Sequence, residues 1–414
     1  MKTISSLINR PDETCWSSPV VKFDTTRCWG SDDPAHAALF TATEALLDRW
    51  RQRVETSDSR GTLPAETIAE LFDTGLLQST MPARFGGLEL DWPVLVESAR
   101  IAARACPSTA WIISLVGGHI QIASRFPEEC VDAIFKSGPR QLVATGSVTA
   151  DGTIQPEGSG YRVDGRWRLS SGIDHATWVI VSAPCRMPAS NAEPATVMAL
   201  VPTSEIEVGG VWQAAGMAGT GSRDVNIKQR YMLDTWVRPL SELLGRQPGE
   251  SRHYLQSVSL VPYLTSAIIG PLLGCAEGAI IAGIEIMQQR QGLHRGEAPR
   301  EVSLRIGEII ADLECARLLY RSILSRLHDS GKGNRDLSDS EYAAIKRDRA
   351  KLTRLCIDAV HQLIRQMGTS AIVWPQAIQR LWRDLQVMAA HMDVNWDRSM
   401  MHYGSSVLCP AAPE

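Results

Sequence analysis

The chain has 414 residues, with 42 Lys and Arg against 46 Asp and Glu for a formal net charge of −4. An apolar content of 44% with 21% charged residues describes a globular chain, not a disordered one, long enough for two or three ordinary domains. The slight acidity disfavours nucleic acid or an anionic membrane as the main partner, and no uninterrupted apolar run of about 18 residues suggests a membrane span.

In chain order, residues 1–35 read as an irregular lead-in with no apolar centre of a secretory signal. A helical region over 36–138 follows. Leu39, Phe40, Leu46, Leu47 and Trp50 recur at helical spacing, and Leu63-Pro64-Ala65-Glu66 opens a second helix that Gly75 ends. Leu95–Ala105 and Ser108–Ser124 read as two more helices, the latter with Ser108 or Thr109 as N-cap. From 139 to 245 short alternating runs separated by Gly, Asp and Pro predict a β-domain, with Asp164-Gly165 as a hairpin turn. Over 246–414 four long helices return: Gly270–Arg290, Val302–Leu327, Tyr342–Met367 and Ile378 to about His391, an antiparallel bundle. Asp329–Asp339 is expected as their polar connector, and Arg383-Asp384 as a helix-start ion pair or cap.

Nine dispersed cysteines without a CxxC or CxxxC pair read as reduced thiols of a cytoplasmic protein. The nine histidines include no HExxH, so no metal site is expected. Gly219-Thr220-Gly221-Ser222 lacks the third glycine of a dinucleotide fingerprint and precedes a strand-like run, so no nicotinamide site is expected there.

Particular segments carry a resemblance. Met81-Pro82-Ala83-Arg84-Phe85-Gly86-Gly87 is similar to the PxxxGG turn of the acyl-CoA dehydrogenase superfamily. The stretch from Asp164 to Trp178, DGRWRLSSGIDHATW, resembles the GxWxxxSGxDHxxW segment of the oxygenase components of two-component flavin-dependent monooxygenases, the 4-hydroxyphenylacetate hydroxylase type. Val116-Gly117-Gly118-His119, the run Gly216–Ser222, and Ile378–Asp384 with His391 match further family segments in family order. The resemblance implies an α+β, acyl-CoA dehydrogenase-like fold: an N-terminal helical domain, a central antiparallel β-sandwich and a C-terminal four-helix bundle. It implies reduced FMN or FAD supplied by a separate NAD(P)H:flavin reductase, O2 as co-substrate, a homotetramer, and hydroxylation of an aromatic or phenolic small molecule through a flavin C4a-hydroperoxide. A tailoring step in natural-product biosynthesis is one setting for such a reaction.

By matching position, Ser171 meets flavin N5, His119 contacts the substrate, and His391 approaches the C4a edge; these three are the expected catalytic residues. An imidazole of ordinary pKa, about 6.5, can share a phenolic proton near neutrality. Trp111, Thr145, Ser147, Ser170 and Arg290 are expected with Ser171 around the cofactor, whereas Asp174 and His175 read as structural. The alternatives are N- or S-oxygenation on the same fold, or an acyl-CoA dehydrogenase. The latter needs a carboxylate base, absent from Ala371–Ile378, so the base would have to lie elsewhere, such as at Glu277 or Glu285.

Overall fold

The computed structural model describes residues 27–30, 33–149, 151–185, 194–210, 212–248, 253–291 and 299–409. Helix α1 (Pro34–Gln52) starts where the Asp33 side chain accepts the Ala35 N–H at 2.8 Å and Pro34 supplies the first helical φ. Short helices α2 (Val54–Arg60) and α3 (Ala65–Asp73) lead to α4 (Trp92–Ala103), in which every residue is buried. The expected single helix over Ser108–Ser124 is divided. It forms α5 (Pro107–Trp111), a π-helical turn Ile112–Val116 and α6 (Ile120–Ala123). Its N-cap is Cys106, not Ser108 or Thr109, because Pro107 takes the first helical position and buries both hydroxyl residues inside. Helix α7 (Glu128–Phe135) closes this part.

Among the described residues nine strands follow: β1 (Val143–Gly146), β2 (Val148–Thr149), β3 (Thr153–Glu157), β4 (Gly160–Ser170), β5 (Trp178–Cys185), β6 (Ala195–Pro202), β7 (Glu207–Gly209), β8 (Arg223–Leu233) and β9 (Val237–Pro239). One sheet has the order β1-β5-β6-β9, the other β2-β4-β8-β7 with β3 on β4. All pairings are antiparallel except β1 with β5. Trp167, Val163, Ile154, Val179, Val181 and Val225 fill the interior of this β-region. Asp164-Gly165 is not a hairpin turn. It is a bulge within β4, held by Asp164 Oδ1 accepting the Gln229 N–H and by Gly165 at φ 107° packed against the Asp151 carbonyl.

Beyond α8 (Leu240–Leu244) and α9 (Val261–Ser266) stand α10 (Ile269–Gln291), α11 (Arg300–Lys332), α12 (Asp339–Met367), α13 (Ala377–Ala389) and α14 (Trp396–Leu408). Helix α11 runs into the expected connector, and a capping box of Ser338 and Glu341 starts α12. A fifth helix extends the expected four. The stretch Val261–Gln289 is apolar and long enough to cross a membrane, yet 89% of its most apolar window is buried inside the protein.

The reason is the α4–α10 contact. A Cβ on Gly270, Gly274 or Gly278 would lie 2.3, 2.0 or 2.8 Å from the carbonyl oxygens of Val96, Arg100 and Arg104. Glycine at every fourth residue therefore lets the two backbones touch. Between them sits a buried charge cluster: Arg100 bonds Glu97 at 2.7 Å and Glu277 at 2.5 Å, while Arg104 and Arg317 also face Glu277. Tyr320 donates to Glu97 at 2.9 Å. The helices of both ends of the chain share one continuous core.

Candidate active site

Four segments meet at one point. The chain leaving β4 turns through Ser171 and Gly172, the latter at φ 72°, where a Cβ would sit 3.1 Å from Ile112 and 3.3 Å from Val116 of the π-helical turn. π-Helical turns concentrate at functional sites because they re-aim the side chains flanking them. Here Trp111 directly precedes the turn, and His119 follows its last residue, Val116, by three positions. The Gly172 N–H donates to the Thr220 carbonyl at 2.8 Å, Arg223 pairs with Asp174 at 2.8 Å, and His175 Nε2 meets Thr62 Oγ1 at 3.0 Å. Asp174 and His175 thus tie the loop down.

The second loop, 216–222, is pinned to α13. Asp384 Oδ1 accepts the Met217 N–H at 2.5 Å, Arg383 donates to the Ala215 carbonyl at 2.6 Å, and a Cβ on Gly216 would lie 2.5 Å from the Arg383 carbonyl carbon. Arg383 and Asp384 are therefore neither a helix start nor a pair with each other. They lie mid-helix and clamp the loop. Burial pushes the Asp384 carboxyl up to about 6, with Arg380 the main opposing influence.

These loops assemble a row of polar groups. Trp111 Nε1 donates to Ser171 Oγ at 3.1 Å, Ser171 Oγ lies 2.8 Å from Ser222 Oγ, and Ser222 Oγ lies 2.8 Å from Thr220 Oγ1. Thr220 Oγ1 donates to the Met217 carbonyl, also at 2.8 Å. His391 packs edge to face with Trp111, with ring centroids 5.6 Å apart. It is not on the last turn of a helix, because α13 stops at Ala389; it occupies the turn before α14, where its Nδ1 accepts the Asp393 N–H. Burial lowers its pKa, Asp393 acts to raise it, and Arg349 acts to lower it.

His119 is held separately. Its Nδ1 lies 3.1 Å from the Val143 carbonyl, which can only accept, so the ring proton sits on Nδ1 and Nε2 is left as an acceptor, 3.4 Å from Thr145 Oγ1. Burial pulls its pKa down to about 4, so this imidazole is uncharged at pH 7, more completely than an ordinary histidine. Thr145 and Gly146 on β1 bring His119 toward the Ser171 loop, since a Cβ on Gly146 would be 3.2 Å from Ser170 Oγ. Ser170 is fully buried and its hydroxyl has no partner among the described residues. Ser147 is exposed, at the crossing from one sheet to the other. Arg290 lies in α10, but its side chain falls outside the described residues.

The structure thus groups Trp111, Ser171 and His391 directly, and joins His119, Thr145 and Ser170 to them through β1. Nothing in the sequence gives Thr220 or Ser222 a role or joins Asp384 to the site, although the glycines of 216–222 signal a loop pressed against another element. A cleft of about 190 Å3 opens beside Ser222, lined also by Arg168, Trp212, Gln213 and Arg223. A second cavity, about 170 Å3 around Tyr263, Asp336 and Tyr342, touches none of the expected site residues. Among the described residues no group of acidic, cysteine and histidine side chains could hold a metal ion. The donor set does suit a flavin: a hydroxyl with a spare lone pair, an unpartnered buried hydroxyl, an aromatic wall and two imidazoles.

Residues 34–127 match the family model of the acyl-CoA dehydrogenase N-terminal domain, and residues 266–396 that of the acyl-CoA dehydrogenase C-terminal domain; together they span more than half of the chain. The flavin-dependent monooxygenase oxygenase subunit HsaA of Mycobacterium tuberculosis is 26% identical over 378 residues, covering 89% of this chain and 94% of that protein. The oxygenase component of an FADH2-dependent resorcinol hydroxylase from a Rhizobium species is 25% identical, covering 90% and 94%. Among solved structures, XiaF from a Streptomyces species, in complex with FADH2 and glycerol, superposes with a TM-score of 0.82 at 25% identity, covering 92% of this chain and 97% of that one. The chain belongs to the acyl-CoA dehydrogenase superfamily. Within that superfamily it is a member of the branch formed by the oxygenase components of flavin-dependent monooxygenases.

Proposed function

We propose that this chain takes reduced flavin from a separate reductase and uses O2 to hydroxylate an aromatic small molecule, with Ser171, His119 and His391 as the residues that touch the reacting groups. The observation that carries the assignment of residues is the Ser171 hydroxyl, fixed by Trp111 at the junction of the β4 loop, the 216–222 loop and the π-helical turn. When bound, the reduced flavin supplies the electrons and the activation of O2. Trp111 and Ile112 wall the site against water, and Ser171 offers a hydrogen bond acceptor to a ring N–H. His119 presents an unprotonated Nε2 that accepts a hydrogen bond from a substrate hydroxyl and so makes its ring more electron-rich. His391, in edge-to-face contact with Trp111, provides a second imidazole.

Two observations argue against dehydrogenase chemistry. Glu277 is held ionised and surrounded by Arg100, Arg104 and Arg317 in the helical core, away from the loops of the site. Glu285 is pushed up to about 7 by burial, but the charge beside it is Arg51 of α1, on none of the site segments. A homotetramer, which the family resemblance implies, belongs to the same reading. Localisation in the cytoplasm agrees with buried free cysteines at 106, 130, 185, 275 and 356.

The test supplies chemically reduced FMN or FAD, oxygen and a panel of phenols and other aromatics, with products read by mass spectrometry. Hydroxylated product is expected, and Ser171→Ala is expected to release more H2O2 for each product formed. Failure of both reduced flavins to bind at about 100 μM, a free energy of about −5.5 kcal/mol, would end the proposal.

A further inference from the structure

We propose that Ser222 and Thr220 are positioning residues that fix the direction of the Ser171 hydroxyl proton, making Ser171 an obligate acceptor toward the site. The inference rests on the reading that a flavin N5 meets Ser171. Donor and acceptor accounting supplies the rest. A carbonyl oxygen cannot donate, so the 2.8 Å contact between Thr220 Oγ1 and the Met217 carbonyl consumes the single Thr220 proton. Trp212 Nε1, donating to the same carbonyl at 2.8 Å, fixes that acceptor in place. Thr220 Oγ1 must then accept from Ser222, which consumes the Ser222 proton. Ser222 Oγ in turn must accept from Ser171, which consumes the Ser171 proton. At the other end Trp111 Nε1, a donor only, occupies one lone pair of Ser171 Oγ.

Ser171 is left with one lone pair and no free proton. Thr220 and Ser222 are buried, so water does not readily take the place of either. The N5 atom of a reduced flavin carries a hydrogen and donates; the N5 atom of the oxidised ring can only accept. A serine oriented in this way pairs with the first and opposes the second, lone pair to lone pair. To satisfy the oxidised ring, Ser171 would have to withdraw its proton from Ser222, giving up one neutral hydrogen bond, a factor of about three to ten in affinity. The row therefore sets redox-state selectivity from the protein side, two residues behind the contact itself.

The experiment measures dissociation constants for FMN, oxidised and dithionite-reduced, by anaerobic tryptophan-fluorescence titration of the full chain. Ser222→Ala frees the Ser171 proton and should tighten oxidised FMN about three- to tenfold with little change for reduced FMN, lowering the ratio between the two. Thr220→Val should lower the ratio likewise, by freeing the Ser222 proton to turn toward Ser171, whereas Thr220→Ser should restore the wild-type ratio. Far-UV circular dichroism checks that each variant is folded, and the valine–serine pair keeps the test decisive if Ser222→Ala is not. Wild-type ratios in both Ser222→Ala and Thr220→Val, with Ser171→Ala weakening reduced FMN, would overturn this inference alone. Unchanged affinity for both redox states in Ser171→Ala would instead overturn the placement of the flavin.

Discussion

Replacing Asp384 by Asn should stabilise the protein near neutral pH and leave it unchanged in acid. Asp384 is buried to 4% exposure on α13 and its carboxyl is pushed from an ordinary 3.8 up to about 6. The displacement, at about 1.4 kcal/mol for each tenfold change in proton affinity, makes ionisation about 3 kcal/mol costlier in the folded chain than in the unfolded one. Between those two values the folded state binds more protons than the unfolded state, so this group's contribution is most favourable below about pH 4 and is lost as pH rises through about 6. Asparagine resembles the protonated acid in shape and charge and can still accept the Met217 N–H through its oxygen. The difference in unfolding free energy between Asp384→Asn and the parent should therefore grow from near zero at about pH 4 to about 3 kcal/mol at pH 7, then level off. Urea denaturation of both proteins across this range measures it, and taking the difference cancels every other titrating group. Parallel stability curves for the two proteins would refute the burial argument.

His119 remains neutral between about pH 5.5 and 8, so His119→Asn should slow turnover without deleting an inflection from the pH–rate profile in that range; loss of an inflection near pH 6.5 would contradict the desolvated imidazole. Glu277→Gln should cost about 3–5 kcal/mol of stability, because three arginines lose their shared buried counter-charge; a denaturant midpoint close to the parent's would show that the cluster is solvated. Gly216→Ala should cost about 1–3 kcal/mol and expose the 216–222 loop to limited proteolysis, since its Cβ meets the backbone of α13; a loop as resistant as the parent's would place it farther from that helix.

The order of helices, strands and helices was legible because hydrophobic periodicity and turn residues are local properties, as at α1, where Asp33-Pro34 and the apolar stripe agree. The meeting of the 171–175, 216–222 and 378–384 segments could be anticipated only through family resemblance. No local rule brings residues so distant in sequence together. Non-local partners explain the misreadings. Asp164-Gly165 has hairpin chemistry, but Asp164 bonds Gln229 and the strand continues. Arg383-Asp384 reads as a helix-start ion pair or cap until the 216–222 loop is seen to lie against it. His119 carries an ordinary sequence pKa and loses it to burial beneath Val143. The break in α13 before His391 has neither glycine nor proline to announce it.

The contact between α4 and α10 also bears on how the protein is made. Arg100 emerges from the ribosome 177 residues before Glu277, roughly ten to forty seconds at ordinary elongation rates. Throughout that interval α4, destined to be buried on every side, has neither the glycine-lined backbone nor the carboxylate that will receive it. The β-sheets can pair while the nascent chain waits, but the α4–α10 contact cannot form. Apolar surface left uncovered in this way is aggregation-prone, and it is the kind of surface that chaperones shield during synthesis.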